Sequence, residues 1–111
     1  MVALDKLRDL IESTLNEHTK IPYSHGKIDF ELVFDRNRDR YLLMLVGWDG
    51  YRRVHGSLIH LDIINNKVWI QRDGTEDGVA SDLIAAGVPK AQIVLAWKSP
   101  EMRKHTEFAV A

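Results

Sequence analysis

The sequence predicts an α+β fold: a four-stranded antiparallel meander sheet with an N-terminal helix and C-terminal helical segments packed on it. A helical apolar period opens the chain, and a period of two replaces it from Lys27 onward. Tight-turn dipeptides then punctuate the strands that follow.

Leu4, Leu7, Leu10, Ile11 and Leu15 recur at three- and four-residue spacing among charged neighbours, which places one apolar stripe on a helix. Pro22 disfavours helix at Ile21, so the helix ends near His18 to Lys20. Ile28, Phe30, Leu32 and Phe34 alternate with Asp29, Glu31 and Val33 as a half-buried strand does. The polar run Asp35 to Asp39 is a turn, and Arg40 to Trp48 reads as a strand apolar on both faces. Asp49-Gly50 is the strongest hairpin signal, Tyr51 to Ile63 returns as a third strand, and Asn65-Asn66 turns it into Lys67 to Arg72.

Asp73-Gly74 closes the sheet, with Thr75 as the expected N-cap of a helix whose stripe is Val79, Leu83 and Ile84 and whose stop is Gly87. Pro89 to Gln92 reads as a turn before the short apolar run Ile93 to Trp97. Ser99-Pro100-Glu101 is a cap with proline at the first helical position.

The chain of 111 residues is the size of one domain, expected to span 1–111. Its 45% hydrophobic and 28% charged residues can bury a core, which excludes wholesale disorder. The longest apolar run, Tyr41 to Val46, is far short of the roughly 20 residues that span a bilayer. No secretory signal is evident at the N-terminus and there is no cysteine, so a cytoplasmic protein without membrane partners is expected. Net charge is −1 from fifteen basic and sixteen acidic residues, so a DNA role must rest on a local patch or on a partner.

With two-residue loops and regular pairing, Ile64 faces Lys67, Asp62 faces Trp69, and His60 faces Gln71. Across the other hairpin Leu45 faces Val54 and Leu43 faces Gly56. One face then carries Leu42, Met44, Val46, Ile59, Leu61, Ile63, Val68 and Ile70, joined by Ile28, Phe30, Leu32 and Phe34. That is the expected core. The other carries Tyr41, Leu43, Leu45, Val54, Leu58 and Trp69, mixed with Arg52, His60, Asp62 and Gln71. A second face this apolar does not stay bare in water. The C-terminal segment covers it, another protein covers it, or the register slips. Tyr41, Leu43, Leu45, Val54, Leu58, His60, Asp62, Trp69 and Gln71 are therefore the candidate partner interface.

Arg36, Arg38 and Arg40 cluster at the first turn, while Arg52 and Arg53 follow the second. These five are the candidate DNA contacts, since arginine is suited to phosphate. The two turns lie at opposite ends of a strand, about 25 to 30 Å apart at 3.3 Å per residue. Asp35, Asp39 and Asp49 dilute both patches, which fits solvated turns or a protein interface as well. Arg52 is expected on the second face and Arg53 on the helix-covered face.

His60 and Asp62 share a strand face, the types a general base oriented by a carboxylate would use. No serine, cysteine or second carboxylate is placed to complete a catalytic site, and a hydrogen-bonded interface patch is the simpler reading. His18, His25, His55, His60 and His105 form no HxH or HExxH pattern, and no glycine-rich phosphate loop occurs. Asp29 and Glu31 share a face without a lysine at nuclease spacing. No catalytic, metal or cofactor site is expected. Trp48, Trp69 and Trp97 are read as core or interface anchors before base-stacking platforms.

Several segments occur together in one family's order and spacing: Val46-Gly47-Trp48, Arg52-Arg53, Ile59-His60-Leu61-Asp62-Ile63 and Lys67-Val68-Trp69-Ile70-Gln71. Asp73-Gly74-Thr75-Glu76, Gly87-Val88-Pro89-Lys90, Ile93-Val94-Leu95 and the ending Thr106 to Ala111 continue the pattern. Over essentially its whole length the chain resembles the XisI family, the fdxN-element excision controlling factors. The resemblance implies a small α+β protein of filamentous nitrogen-fixing bacteria. The namesake assists a recombinase in excising a DNA element during heterocyst development, together with a neighbour, XisH. XisH resembles restriction-type nucleases and pairs with XisI away from that element too.

The resemblance brings no catalytic residues. It implies a non-enzymatic accessory factor with an XisH-type partner, a homo-oligomer or DNA within an assembly being further partners. A direct DNA-binding excision factor and a restraint on an XisH-type nuclease are the alternatives.

Overall fold

The computed structural model describes residues 1–22 and 26–111. Helix α1 (Leu4–His18) is followed by strands β1 (Lys27–Asp35), β2 (Arg40–Asp49), β3 (Arg52–Ile64) and β4 (Lys67–Asp73). Helix α2 (Val79–Ala85), a single 3-10 turn (Lys90–Gln92), strand β5 (Ile93–Leu95) and helix α3 (Pro100–Arg103) complete the chain. The fold is α+β, as its sequence predicts. The meander is extended by one strand, because the apolar run after Gln92 pairs parallel to β4 and gives the order β1-β2-β3-β4-β5.

Leu7, Ile11 and Leu15 of α1 and Val79 and Leu83 of α2 are fully buried against one face of the sheet. Tyr41, Leu43, Ile59, Leu61, Val68, Ile70 and Ile93 meet them from the sheet. Leu42, Met44 and Val46 point the other way and stay only half-buried. The expected faces of β2 are thus exchanged.

The cause is a β-bulge. The β2–β3 loop is Gly50-Tyr51, closed by Asp49 opposite Arg52, and the ladder is regular as far as Met44 opposite Ser57. It then skips Leu58 and resumes with Leu43 opposite Ile59. One unpaired residue reverses the alternation of the rest of β3. A second shift, at Gln71, sets Arg72 rather than Gln71 opposite His60. The Asn65-Asn66 turn is as expected: both residues have positive φ and Ile64 faces Lys67.

Gly47 admits β1 at close quarters, since a Cβ there would run into the Lys27 carbonyl oxygen. Helix α2 starts later than Thr75. Gly78, at φ 85°, leads into it, and Asp73 Oδ2 accepts from the Val79 amide at 2.7 Å. It ends in a Schellman motif: Gly87 N–H donates to Ile84 O and Val88 N–H to Leu83 O. Ser99 caps α3 with Pro100 at its first position, as expected.

Leu43→Ala should cost about 3 kcal/mol of unfolding free energy, and Met44→Ala about 1 kcal/mol or less. Urea denaturation of the two variants checks this. Equal costs, or the reverse ranking, would put Leu43 back on the open face.

Candidate protein-interaction face

The sheet face away from α1 and α2 is built from β1 residues Lys27, Asp29, Glu31 and Val33 and from β2 residues Leu42, Met44, Val46 and Trp48. Arg53, His55, Ser57, His60 and Asp62 of β3 lie beside them, and Trp69 of β4 lies opposite Asp62. Its middle is an apolar stripe, Leu42-Met44-Val46, flanked by acidic Asp29 and Glu31 on one side and His55 on the other. Val33 is 48% exposed and Trp48 51%.

At the β3–β4 end of this face sits a hydrogen-bonded polar cluster. Asp62 is only 5% exposed, yet its carboxylate is fully engaged. His60 Nε2 lies 2.8 Å from Oδ1, Gln71 Nε2 donates to Oδ2 at 3.2 Å, and Arg40 Nε stands 3.5 Å from Oδ1. Gln71 stands at the unpaired position of the β4 shift and reaches Asp62 from there. Beside the cluster, the Arg103 guanidinium covers the Trp69 ring, 5.2 Å from its centroid, while donating to the Leu95 and Ala96 carbonyls. Ala109 bridges to Val94, and Lys67 Nζ donates to the Ala111 carbonyl.

The C-terminal segment therefore occupies the β4–β5 part of the face, and no other described segment covers the β1–β3 part.

Of the candidate interface residues, His60, Asp62, Trp69 and Gln71 come together here. Tyr41, Leu43 and Leu45 do not: the Leu58 bulge turns them into the core under the helices. Val54, opposite Gly47, lies on that same helix-facing side, and Leu58 packs against the core cluster. Leu42, Met44 and Val46 are the open apolar residues that regular pairing misassigns, and Trp48 lies exposed at the end of their row.

The arginines divide in a similar way. Arg36 is held by Glu12 at 2.7 Å and Asp9 at 3.5 Å, both on α1. Arg40 donates to the Arg38 and Asp39 carbonyls and approaches Asp62. Arg52 pairs with Asp49 at 3.2 Å, and Arg53 lies over the Trp48 ring at 5.2 Å. Arg38 is exposed. The faces of Arg52 and Arg53 are the reverse of those expected, because the Leu58 bulge breaks the alternation between them and the core residues Ile59, Leu61 and Ile63.

Tyr41 belongs to a different network. Arg8 on α1 grips Asp39 with two nitrogens, at 2.8 and 3.1 Å, and the Tyr41 hydroxyl donates to the same carboxylate at 3.0 Å. The Arg8 hydrogen bond holds the Asp39 carboxyl below its ordinary range. Burial, with Asp39 adding to it, pushes the Tyr41 hydroxyl up to about 12.

His60 forms its hydrogen bond to Asp62 and, among the described residues, none to a hydroxyl. No group of three or more histidines and carboxylates among those residues converges as a metal site. His25 lies outside the described residues. No described helix is long and apolar enough to cross a membrane.

The family described as XisI protein matches residues 1–110 of the chain. Among solved structures, a XisI-like protein from Anabaena variabilis ATCC 29413 is 33% identical, with a TM-score of 0.90 over 98% of this chain and 100% of that one. The fdxN element excision controlling factor XisI of the same strain is also 33% identical, with a TM-score of 0.82 over 97% of this chain and 98% of its own. No match was found among curated proteins.

Because Asp39 has a lowered pKa in the folded state, its stabilising effect is complete above its ordinary value of 3.8 and is lost as pH falls through the lower folded value. Asp39→Asn should lower Tm by several degrees at neutral pH, and the gap from the parent protein should narrow as the pH drops below 3.8. Thermal melts across an acid series measure it. A gap that does not change with pH would remove the Arg8–Asp39 pair from the account.

Proposed function

The chain belongs to the XisI family, and on that premise we propose that it is a non-enzymatic accessory factor in the control of DNA-element excision, acting through a protein docked on its open sheet face. The observation that carries this reading is the uncovered stripe Leu42-Met44-Val46 with exposed Trp48 at its end. Apolar surface of this kind, ringed by charge, is characteristic of protein interfaces. A solved relative is described as an fdxN element excision controlling factor, which supplies the process.

The partner we propose is an XisH-type protein, with DNA held within the assembly. The charge distribution favours protein over nucleic acid as the direct contact. Net charge is −1, and Arg36 and Arg52 are already neutralised by carboxylates of their own chain. A phosphate ligand would have to displace those pairs, whereas an apolar partner surface displaces only water. The His60–Asp62–Gln71 cluster then provides orientation, and the stripe provides buried area.

Capture of the protein by an immobilised XisH-type protein tests the reading, repeated with Met44→Glu and with Trp48→Ala. Both positions lie off the core, so the variants should stay folded with melting temperatures within several degrees of the parent's and lose at least about tenfold in affinity, roughly 1.4 kcal/mol. Undiminished capture by both would sink the proposed surface. In a gel-shift titration near about 50 mM salt the isolated protein should leave DNA unshifted. A salt-sensitive shift abolished by Arg38→Ala would favour direct DNA contact instead.

A further inference from the structure

We propose that β1 is a self-association edge, along which two copies of this chain pair antiparallel into one continuous ten-stranded sheet.

β1 is the terminal strand of the sheet, with β2 on its only occupied side among the described residues. It is nine residues long, contains no proline, and pairs with β2 from Lys27 opposite Trp48 to Asp35 opposite Arg40 without a shift. Long, regular, unbulged edges are templates for another strand unless something blunts them. At the other side of the sheet the chain caps itself, since Ala109 bridges β5 at Val94. Among the described residues, only the β1 edge is left regular and long.

The occupant follows from the order of residues in β1, Lys-Ile-Asp-Phe-Glu-Leu-Val-Phe-Asp. A two-fold axis normal to the sheet at Glu31 sets residue 27 against the partner's residue 35 and lets all nine residues pair. Lys27 then faces the partner's Asp35 at each end of the ladder. Asp29 faces the partner's Val33, Ile28 the partner's Phe34, and Phe30 the partner's Leu32. Opposite charges and apolar pairs directly across a ladder stabilise it.

Neighbouring registers are worse. Moving the axis to Phe30 sets Asp29 against the partner's Glu31, and moving it to Leu32 sets Asp29 against the partner's Asp35. Odd shifts place the apolar side of one copy beside the charged side of the other. Asp35 can serve both copies. It caps its own turn with Oδ1, which accepts from Asn37 N and Arg38 N, both at 3.0 Å, and Oδ2 forms no hydrogen bond among the described residues.

The single unfavourable contact is Glu31 against the partner's Glu31 on the axis. It gives the proposal a second handle of opposite sign. The two open faces come out on the same side of the joined sheet, so pairing at β1 leaves the Leu42-Met44-Val46 stripes uncovered. The proposal therefore stands or falls independently of the XisH-type partner.

Sedimentation equilibrium of the full chain over a concentration series tests it. The parent protein should form a reversible dimer. Lys27→Glu should weaken that dimer about tenfold, because two attractive pairs become repulsive. Glu31→Gln should tighten it several-fold. Both side chains are exposed, so melting temperatures measured alongside should match the parent's. A monomer at all concentrations would overturn the proposal. So would a dimer that neither substitution moves, or one that Met44→Glu dissociates while Lys27→Glu does not.

Discussion

One unpaired residue in β3 decides which half of the sheet is core. If β3 ran unbroken from its hairpin, His60 and Asp62 would share the side of Val54 and Gly56, beneath α1 and α2. An ionised carboxylate placed there without partners would cost several kcal/mol. The bulge at Leu58 costs one ladder pair and reverses the strand. Ile59, Leu61 and Ile63 turn into the core, and His60 and Asp62 turn out to the face where Gln71 and Arg40 reach them. Because Ile59 faces Leu43, the same event sends Tyr41 and Leu43 inward and Leu42 and Met44 outward. The buried face and the open face follow from one irregularity.

Polar ties then decide how far the rest of the chain can wrap. Gln92 is fully buried and its amide is saturated: Nε2 donates to the Val2 and Asn66 carbonyls, and Oε1 accepts from the Val2 amide, all at 2.8 Å. That junction pins the N-terminus, the β3–β4 turn and the start of β5 together. The segment after β5 departs from a fixed point, and Arg103 fastens it over Trp69. The residues beyond Leu95 cover Trp69 and Val94, and none of them reaches the open side of β2. At the opposite end Arg8 clamps α1 to the β1–β2 turn through Asp39. The helices cover one face of the sheet, the tail is held at the β4–β5 margin of the other, and among the described residues nothing covers the middle of that second face.

Much of this is legible in the residues. The N-terminal stripe, the alternation in β1, the Asn65-Asn66 turn, the Gly87 stop and the Ser99-Pro100 cap all act through local rules, and all appear where those rules place them. The faces of β2 were not legible from β2, which is apolar on both sides and carries no parity. The signal lay in β3: its apolar parity runs even at Val54 and Leu58, then odd at Ile59, Leu61 and Ile63. Two adjacent apolar residues at such a switch mark a bulge. The strand β5 was hidden because three residues hold no period, and its pairing with β4 depends on Gln92, which joins parts of the chain ninety residues apart. His60, Asp62, Trp69 and Gln71 were found together since their hairpin begins with a regular two-residue turn.

The open face divides its work between two kinds of surface. The Leu42-Met44-Val46 stripe is non-directional: any apolar surface that covers it gains from the release of water. The Asp62 cluster is demanding. Its carboxylate is already almost wholly out of water and depends on His60, Gln71 and Arg40 for compensation. A partner that buries the cluster further must leave those bonds intact and must satisfy the polar atoms of His60 and Arg40 that still face solvent, or bear an uncompensated charge in a drier site. Apolar contact sets how tightly a partner sits, and the cluster sets which partner and in which orientation. The stripe alone would be an aggregation hazard. Bordered by Asp29 and Glu31 on one side and by this cluster on the other, it becomes a selective surface.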